Sequence, residues 1–589
     1  MKTRLFLVLL GLFPFCPLSP AQGLGSIVGT VIDPSSAAVA SAKITATQAD
    51  TGVTREATSN SDGYYVIPSL APAKYVVTVR MSGFSDERDE ITLLADQTLT
   101  INLNLRLGGT IETVTVTGAE LQVDTATSTL KQVIEQQRLV ELPLNGRNAA
   151  QLTLLVPGAL NSPGGGADQG TTKTFPGAVT ISANGARQNM ISYQLDGGNY
   201  VDEYTNVNQP FPFPDALQEF SVQTSNYSAE YGQNAGAVVN VITKSGTNNF
   251  HGDVFEFLRN AVFNARNFFA PLTTKSATGA IVPTKDMGRD QLKRNQFGGT
   301  IGGPIIHDKT FFFAGFQATR LRNLGDVRTS TVPSQADITA FKAGGGAIDP
   351  TVANLLPLLP VQPTNESVAF ARPDHQDFYD LLGRIDHAFS QKDRLSVRYD
   401  YNYFTKAAVF VPTNILTYAD GSKITNQNYL IHETHVFRST LINDFRFSYA
   451  REKASRGPAS DVPSVQSLGS LIPFQPKPNA IQQIRVNSFF SFGDNPTAAF
   501  VRNNFNWSDD VSWVRGKHEF RFGGVIERSR VDLDNLFFQP AEFSFDSLSH
   551  FLSGVLGDYS GNLGSARAPA NLRMTAIYSP VCMPKTITK

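Results

Sequence analysis

Leu395-Ser396-Val397-Arg398-Tyr399-Asp400-Tyr401-Asn402-Tyr403-Phe404 sets Leu395, Val397, Tyr399, Tyr401 and Tyr403 at every second position, with Ser396, Arg398, Asp400 and Asn402 between them. Successive side chains of a β-strand point to opposite faces, so this spacing predicts a strand with aromatics on one face and charges on the other. Phe445, Phe447 and Tyr449 alternate with Asp444, Arg446 and Ser448 in the same manner, and Phe520 and Phe522 alternate with Glu519 and Arg521. A soluble sandwich alternates too. A transmembrane barrel, however, needs aromatics toward lipid and Arg and Asp toward a wet lumen. The rest of the chain decides between the two.

Lys2 and Arg4 precede the apolar run Leu5 to Phe15, and small residues follow at Ser19-Pro20-Ala21. That is the arrangement of a secretory signal over residues 1–21, with cleavage expected after Ala21. The run is too short for a membrane anchor, which takes about 20 apolar residues. Cys16 leaves with the signal, and the mature chain keeps Cys582 alone, so an intrachain disulfide is excluded. No later stretch reads as a transmembrane helix. An exported chain of such strands enters a membrane only as a closed barrel, and that combination favours the barrel over the sandwich.

Composition narrows the function. The 589 residues correspond to about three to five domains or one very large one. Lys and Arg number 50 against 51 Asp and Glu, which leaves no basic footprint for nucleic acid. Hydrophobic residues, at 41%, are enough to build a core and exclude wholesale disorder. Enzyme signatures are poor. His432-Glu433-Thr434-His435 spaces its histidines three apart, which on a strand sends them to opposite faces and makes no metalloprotease helix. No G-x-S-x-G and no glycine loop ending in Lys-Ser/Thr occurs. We therefore expect no enzyme, no catalytic residue, no metal and no cofactor.

From Gly23 to Leu107 short strands alternate with turns: Val28 to Ile32, Ile44 to Thr47, Asp62 to Ile67, Tyr75 to Val79 and Leu99 to Leu105. Strands about ten residues apart suggest a small antiparallel sandwich. The series Gly29-x-Val31-x-Asp33, Thr51-Gly52, Asp62-Gly63-x-Tyr65, Tyr75-x-Val77-x-Val79 and Gly83-Phe84 resembles the carboxypeptidase regulatory-like family. The resemblance implies a transthyretin-like or carbohydrate-binding-like sandwich over 23–107, an accessory domain without peptidase activity. A linker is expected over 110–119 and a mixed α/β region over 120–248, with a helix from Ser128 to Glu141.

The middle region carries the most specific text. Leu142-Pro143-Leu144-Asn145-Gly146-Arg147-Asn148 precedes Leu155-Val156-Pro157-Gly158, Asn184-Gly185-Ala186-Arg187 and Tyr193-Gln194-Leu195-Asp196-Gly197. Asn226-Tyr227-Ser228-Ala229-Glu230-Tyr231-Gly232 and Gly236 to Thr247 follow. This order resembles the plug domain of TonB-dependent outer-membrane receptors, and more narrowly the Oar-like group. Phe255 to Asn260, Arg294 to Gly299 and Gly302-Gly303-Pro304 continue it into a barrel over 249–589. The fold class is thus mainly β: sandwich, mixed plug and partial antiparallel transmembrane barrel. The plug-motif positions are Asn145, Gly146, Arg147, Asn148, Asn184, Gly185, Arg187, Asp196, Gly197, Glu230, Tyr231 and Gly232. Salt-bridge or loop-fixing roles are expected of Arg147, Arg187 and Glu230 ahead of direct ligand contact.

Glu112-Thr113-Val114-Thr115-Val116-Thr117 resembles a TonB box, an extended peptide offered to the sheet edge of a TonB-type energy-transducing protein. The same six residues also read as a last strand of the sandwich or a linker. The resemblance implies residence in the outer membrane, the sandwich in the periplasm, lipid around the barrel, and energised uptake of an external ligand. That ligand is a siderophore, an oligosaccharide or a peptide. A non-transporting surface barrel, serving as adhesin or secretion scaffold, and a secreted carbohydrate-binding accessory protein are the alternatives.

Strand counting adds one expectation. About ten strands follow Asn249, whereas a plugged transporter barrel has about 22 and at this spacing needs on the order of 700 residues. Val581 to Lys589 shows no alternation and holds Cys582. Read from their third bases, these codons force Ala across Met583-Pro584 and permit Leu-Tyr-Ala-Gln-Asp-Asp-Tyr-Lys, which resembles a barrel strand of the family. A frameshift near 576–581 and a truncated receptor are expected.

Overall fold

The computed structural model describes residues 23–108, 114–117, 128–161, 178–187, 190–202, 204–228, 231, 234–265, 273–275, 281–283, 291–324, 328–364, 366–471, 483–493, 497–516, 518–535, 542–560, 570–578 and 585–586. The signal, Glu112, Thr113, Glu230, Gly232 and Cys582 lie outside the described residues.

Two sheets form the N-terminal sandwich. In one, β1 (Gly25–Ile32) pairs with β4 (Tyr64–Leu70), β7 (Thr98–Thr100) and β8 (Leu103–Asn104). The other has the order β3 (Thr54–Thr58), β2 (Lys43–Gln48), β5 (Ala73–Arg80), β6 (Glu87–Leu93) and β9 (Val114–Thr117). Ile27, Val31, Ile44, Tyr65, Val77 and Val79 fill the space between them. Gly29 must lack a side chain, because a Cβ there would collide with the Ile101 carbonyl. Strands β3 and β6 escape the sequence pattern. The inward residues of β3 are Arg55 and Ala57, and β6 begins with the charged run Glu87-Arg88-Asp89-Glu90.

In the region expected as the plug, and called so below, five strands have the order β10 (Leu130–Glu135), β13 (Leu217–Ser225), β14 (Ala237–Thr243), β11 (Ile191–Leu195) and β12 (Gly198–Asn199). The helix expected over Ser128 to Glu141 is corrected here. Its first half is strand β10, antiparallel to β13, and only α1 (Gln136–Glu141) is helical. The β-branched pair Val133-Ile134 suits a pleated edge, and Ile134 is buried against the plug core, so packing overrides the local helix preference. Every residue of β14 is buried.

After β14 ten strands pair in chain order: β15 (His251–Asn260), β16 (Lys293–Ile306), β17 (Thr310–Asn323), β18 (Asp374–Ala388), β19 (Asp393–Lys406), β20 (Gly421–Arg438), β21 (Leu441–Gly457), β22 (Ala498–Arg515), β23 (His518–Asn535) and β24 (Ala570–Tyr578). All neighbours are antiparallel, β15 and β24 end this series, and the two-residue strand Lys585–Thr586 also pairs with β23. One face carries buried Asp380, Arg398, Asp400, Asn402, Asp444 and Arg446. The other exposes Val254, Ile301, Phe316, Ile385, Val397 and Ile431, each at 40% or more. An apolar outer face of this extent is foreign to a soluble domain and is what lipid requires. Across it, Tyr399, Tyr429, Tyr449 and Phe505 form a ladder with centroids 4.6, 5.9 and 4.7 Å apart, which ties four neighbouring strands together.

The reversals at one end of the sheet are short, at 307–309, 389–392 and 439–440, and the sandwich lies against this end. The segments at the other end are long, and they are not loose loops. Helices Gln335–Ala343, Pro350–Leu355 and Leu548–Ser553 join a sheet of Ser491–Gly493, Gln483–Val486, Glu542–Phe545 and Asp558–Ser560. Around Val332, Leu355, Leu416, Phe490, Phe545 and Phe551 these pieces share one hydrophobic core. They form a folded cap.

Candidate functional site: the plug-barrel interface

Asp196 and Gly197 join β11 to β12 with φ of 51° and 75°, the left-handed geometry of a tight hairpin turn, which Asp and Gly tolerate. The turn aims the Asp196 carboxylate at the barrel wall. Arg398 on β19 donates to it at 2.5 Å and Arg384 on β18 at 3.4 Å. From within the plug, Thr243 donates its backbone N–H at 2.8 Å and its hydroxyl at 2.9 Å. Burial alone would raise this carboxyl, yet the two arginines and the Thr243 bond hold it below the usual carboxylate range.

A second lock lies further along. Arg502 on β22 donates to Asp202 of the plug at 2.7 Å and to Glu452 on β21 at 2.6 Å, with its guanidinium 4.8 Å from the Tyr204 ring. In a third, the Tyr200 hydroxyl bonds Asp400, and the Phe213 N–H donates to Asp380 at 3.1 Å. Three sets of charged or polar side chains therefore fasten the plug to inward positions of three barrel strands, β18, β19 and β22, with Glu452 of β21 sharing Arg502.

The Asn145-Asn148 loop is held differently. Gly146 and Arg147 both have positive φ. Arg147 pairs with Asp215 and lies over the rings of Phe255 and Phe257, 4.7 and 4.0 Å from their centroids. The Gly146 carbonyl accepts from Gln296 at 3.1 Å, and Asn148 caps Ala150. Asn184 bonds the Thr224 carbonyl, its neighbour Gly185 turns at φ 77°, and Arg187 is exposed. Buried Tyr231 donates to Asp96 of the sandwich at 3.0 Å. Asp96 also accepts from Gly23, Gln223 and Asn240, while Ala95 donates to Glu219, so the 94–97 turn is the bolt between sandwich and plug. The sequence motifs pointed to Asp196 and Arg147. The partners of Asp196, Arg384 and Arg398, and Arg502 opposite Asp202, carried one signal, an inward charge in the alternation.

Between the Asn145-Asn148 loop and the wall, on the cap side, lies a cavity of about 300 Å³. Asn145, Arg147, Arg294, Gln296, Gln317 and Phe378 are among its lining residues. Gln317 Oε1 and Thr319 Oγ1 are buried without a hydrogen-bond partner among the described residues. Of the described box residues, Val114–Thr117 pair in parallel with Glu87 to Glu90 as the edge strand of the sandwich. His432 accepts or donates at 2.7 Å to Asp444 in the lumen, whereas His435 meets Asp393 on the other face. Among the described residues Asp393, Glu433 and His435 form the one group compact enough for a cation, half-exposed and already tied by the His435–Asp393 bond.

The model of the outer membrane beta barrel domain family matches residues 242–579. The chain belongs to that family. The carboxypeptidase regulatory-like domain matches residues 26–106 of this barrel protein. The TonB-dependent transporter Oar of Myxococcus xanthus is 28% identical over 342 residues, covering 55% of this chain and 30% of Oar. The siderophore receptor PirA from Acinetobacter baumannii has a TM-score of 0.40 at 14% identity over 70% of this chain and 49% of its own. For the outer membrane transporter YddB from Escherichia coli the values are 0.45, 10%, 77% and 52%. The chain thus spans under a third of its curated relative and about half of each solved receptor. Together the two domain matches and the Oar similarity are consistent with an Oar-like receptor.

Proposed function

We propose that this chain serves in a TonB-dependent outer-membrane receptor of the Oar kind, taking up an external ligand by energised movement of the plug, with no bond made or broken. The observation that carries the reading is a separate plug sheet bonded to inward arginines of an apolar-jacketed sheet. Ion pairs of this type hold a plug at rest and can be exchanged when it is pulled. Short turns mark the periplasmic end of such barrels, which supports a periplasmic sandwich beneath the plug and a cap facing outward. Engagement of a TonB-type partner by strand addition requires Val114–Thr117 to leave the sandwich edge, where they pair with Glu87 to Glu90.

The cap-side cavity is the proposed ligand position. Its amides and arginines, with two buried oxygens unsatisfied, suit a ligand rich in hydroxyl or amide groups, and buried polar atoms of this kind ordinarily have partners. Accumulation of ferric siderophores, oligosaccharides or peptides by cells, measured with and without the TonB-type partner, tests the reading. Uptake that stops on deleting the partner supports it; uptake indifferent to the partner favours a non-transporting barrel. Glycan binding by residues 23–107 alone would favour the accessory-protein alternative.

A further inference from the structure

A second cavity, of about 160 Å³, lies at the short-turn end, where sandwich, plug and barrel wall meet. Arg55 of β3 and Arg394 of β19 both line it, one from the sandwich and one from the barrel. Arg55 is 6% exposed, and its Nε and Nη1 have no hydrogen-bond partner; Arg394 Nε is likewise buried and unpartnered. Arg394 spends one Nη on the carbonyl of Thr54, 3.0 Å away, and lies within the electrostatic field of the neighbouring Arg55. Two buried hydroxyls of the same lining, Thr51 Oγ1 and Ser69 Oγ, also lack partners.

Like charges packed this way need compensation, since burying an uncompensated ion is costly. The nearby carboxylates do not supply it. Asp386 is taken by Arg384 at 2.9 Å, and Asp196 by Arg398 and Arg384. Asp444, the acid whose field reaches Arg55, bonds His432 and Thr434. Among the described residues no carboxylate bonds Arg55 or Arg394. Both sides of the cavity thus present donors, and Asp196, Asp386 and Asp444 are already engaged elsewhere.

We propose that this cavity is a site for a small tetrahedral oxyanion, a phosphate or a phosphoryl headgroup, bound between Arg55 and Arg394 with Thr51 and Ser69 donating their hydroxyls. The guanidinium fork matches phosphate oxygens in geometry and charge, and the volume admits one such group. Because the two arginines belong to different domains, the anion fastens the sandwich to the barrel mouth. The proposal does not depend on transport.

Calorimetric titration of the full chain in zwitterionic detergent and chloride-free buffer with inorganic phosphate tests it. A second arm uses nanodiscs of phosphatidylcholine with and without phosphatidic acid. Saturable one-site binding is expected, weakened at least about tenfold by Arg55→Gln or Arg394→Gln and less by Arg55→Lys, because charge without the fork retains part of the contact. Binding confined to the phosphatidic acid nanodiscs, with the same arginine dependence, assigns the phosphoryl group to lipid. Circular dichroism and a heat-modifiability gel confirm that each variant is folded. No saturable binding in either arm, or binding that both folded glutamine variants retain unchanged, overturns the site.

Discussion

Asp196→Asn is the sharpest perturbation of the plug lock, because it keeps the shape of the side chain and removes its charge. Arg398, 1% exposed, would then keep the Leu195 carbonyl at 2.8 Å, Asn428 at 2.6 Å and the field of Asp400, but lose its directly bonded carboxylate. Arg384 keeps Asp386, so one guanidinium, not two, loses its bonded carboxylate. Breaking a buried pair in this one-sided way costs about 3–5 kcal/mol, and the lower end applies here. About 3 kcal/mol corresponds to about two powers of ten in the plug's closed-to-open ratio. Guanidinium unfolding of Asp196→Asn, Arg398→Gln and the double variant in detergent yields the coupling energy directly. The double variant should lose far less than the sum of the singles. A coupling below about 0.5 kcal/mol, the scatter expected of independent sites, would refute the lock.

The sandwich-plug bolt should depend on pH. Burial pushes Glu219 up to about 7 while its carboxylate accepts the Ala95 N–H; since the docked state holds the proton more tightly than a freed glutamate at its usual 4.5, docking should weaken as pH rises through that window, by about 1.4 kcal/mol per unit at most. Protease release of the sandwich between pH 5 and 8 measures this, and Glu219→Gln should flatten it. Val114→Pro should lower crosslinking of the box segment to a TonB-type partner, because proline removes a backbone donor and fixes φ; unchanged crosslinking places the box elsewhere. Phe551→Ala, which empties a site packed against Phe490 and Phe545 at 5.4 and 5.3 Å, should cost about 3–5 kcal/mol. Hydrogen exchange should then rise together across 328–370, 483–493 and 542–560; a rise confined to 542–560 contradicts a shared cap core.

The barrel strands were legible because membrane and lumen impose opposite demands on alternate residues, and Tyr399, Asp400 and Tyr401 carry both demands within one turn of the pleat. Strands β3 and β6 were not, since Arg55 faces inward where an apolar residue is expected and Glu87 to Glu90 mask the pleat. Val133-Ile134 was read as helix because six residues of mixed polarity fit either period, and only pairing with Ser221 and Phe220 decides. The cap left no local trace at all. Its core joins Val332, Leu416, Phe490 and Phe551 across more than two hundred positions, with no period within any one segment. Asp196 was visible as a motif residue and Arg398 as an inward charge. Their contact, at a separation of 202 residues, is a property of the closed interface alone.

The central claim is that β19 stands between lipid and lumen, and single cysteines from Leu395 to Phe404 test it most directly. With a fluorophore at each position of the full chain in bilayers, a lipid-phase quencher should act at Val397, Tyr399, Tyr401 and Tyr403. It should spare Ser396, Arg398, Asp400 and Asn402, whose side chains face the plug. Quenching with a period of two supports a membrane-spanning sheet around a plug. Uniform quenching by an aqueous agent at all ten positions, with no response to the lipid-phase agent, would contradict it.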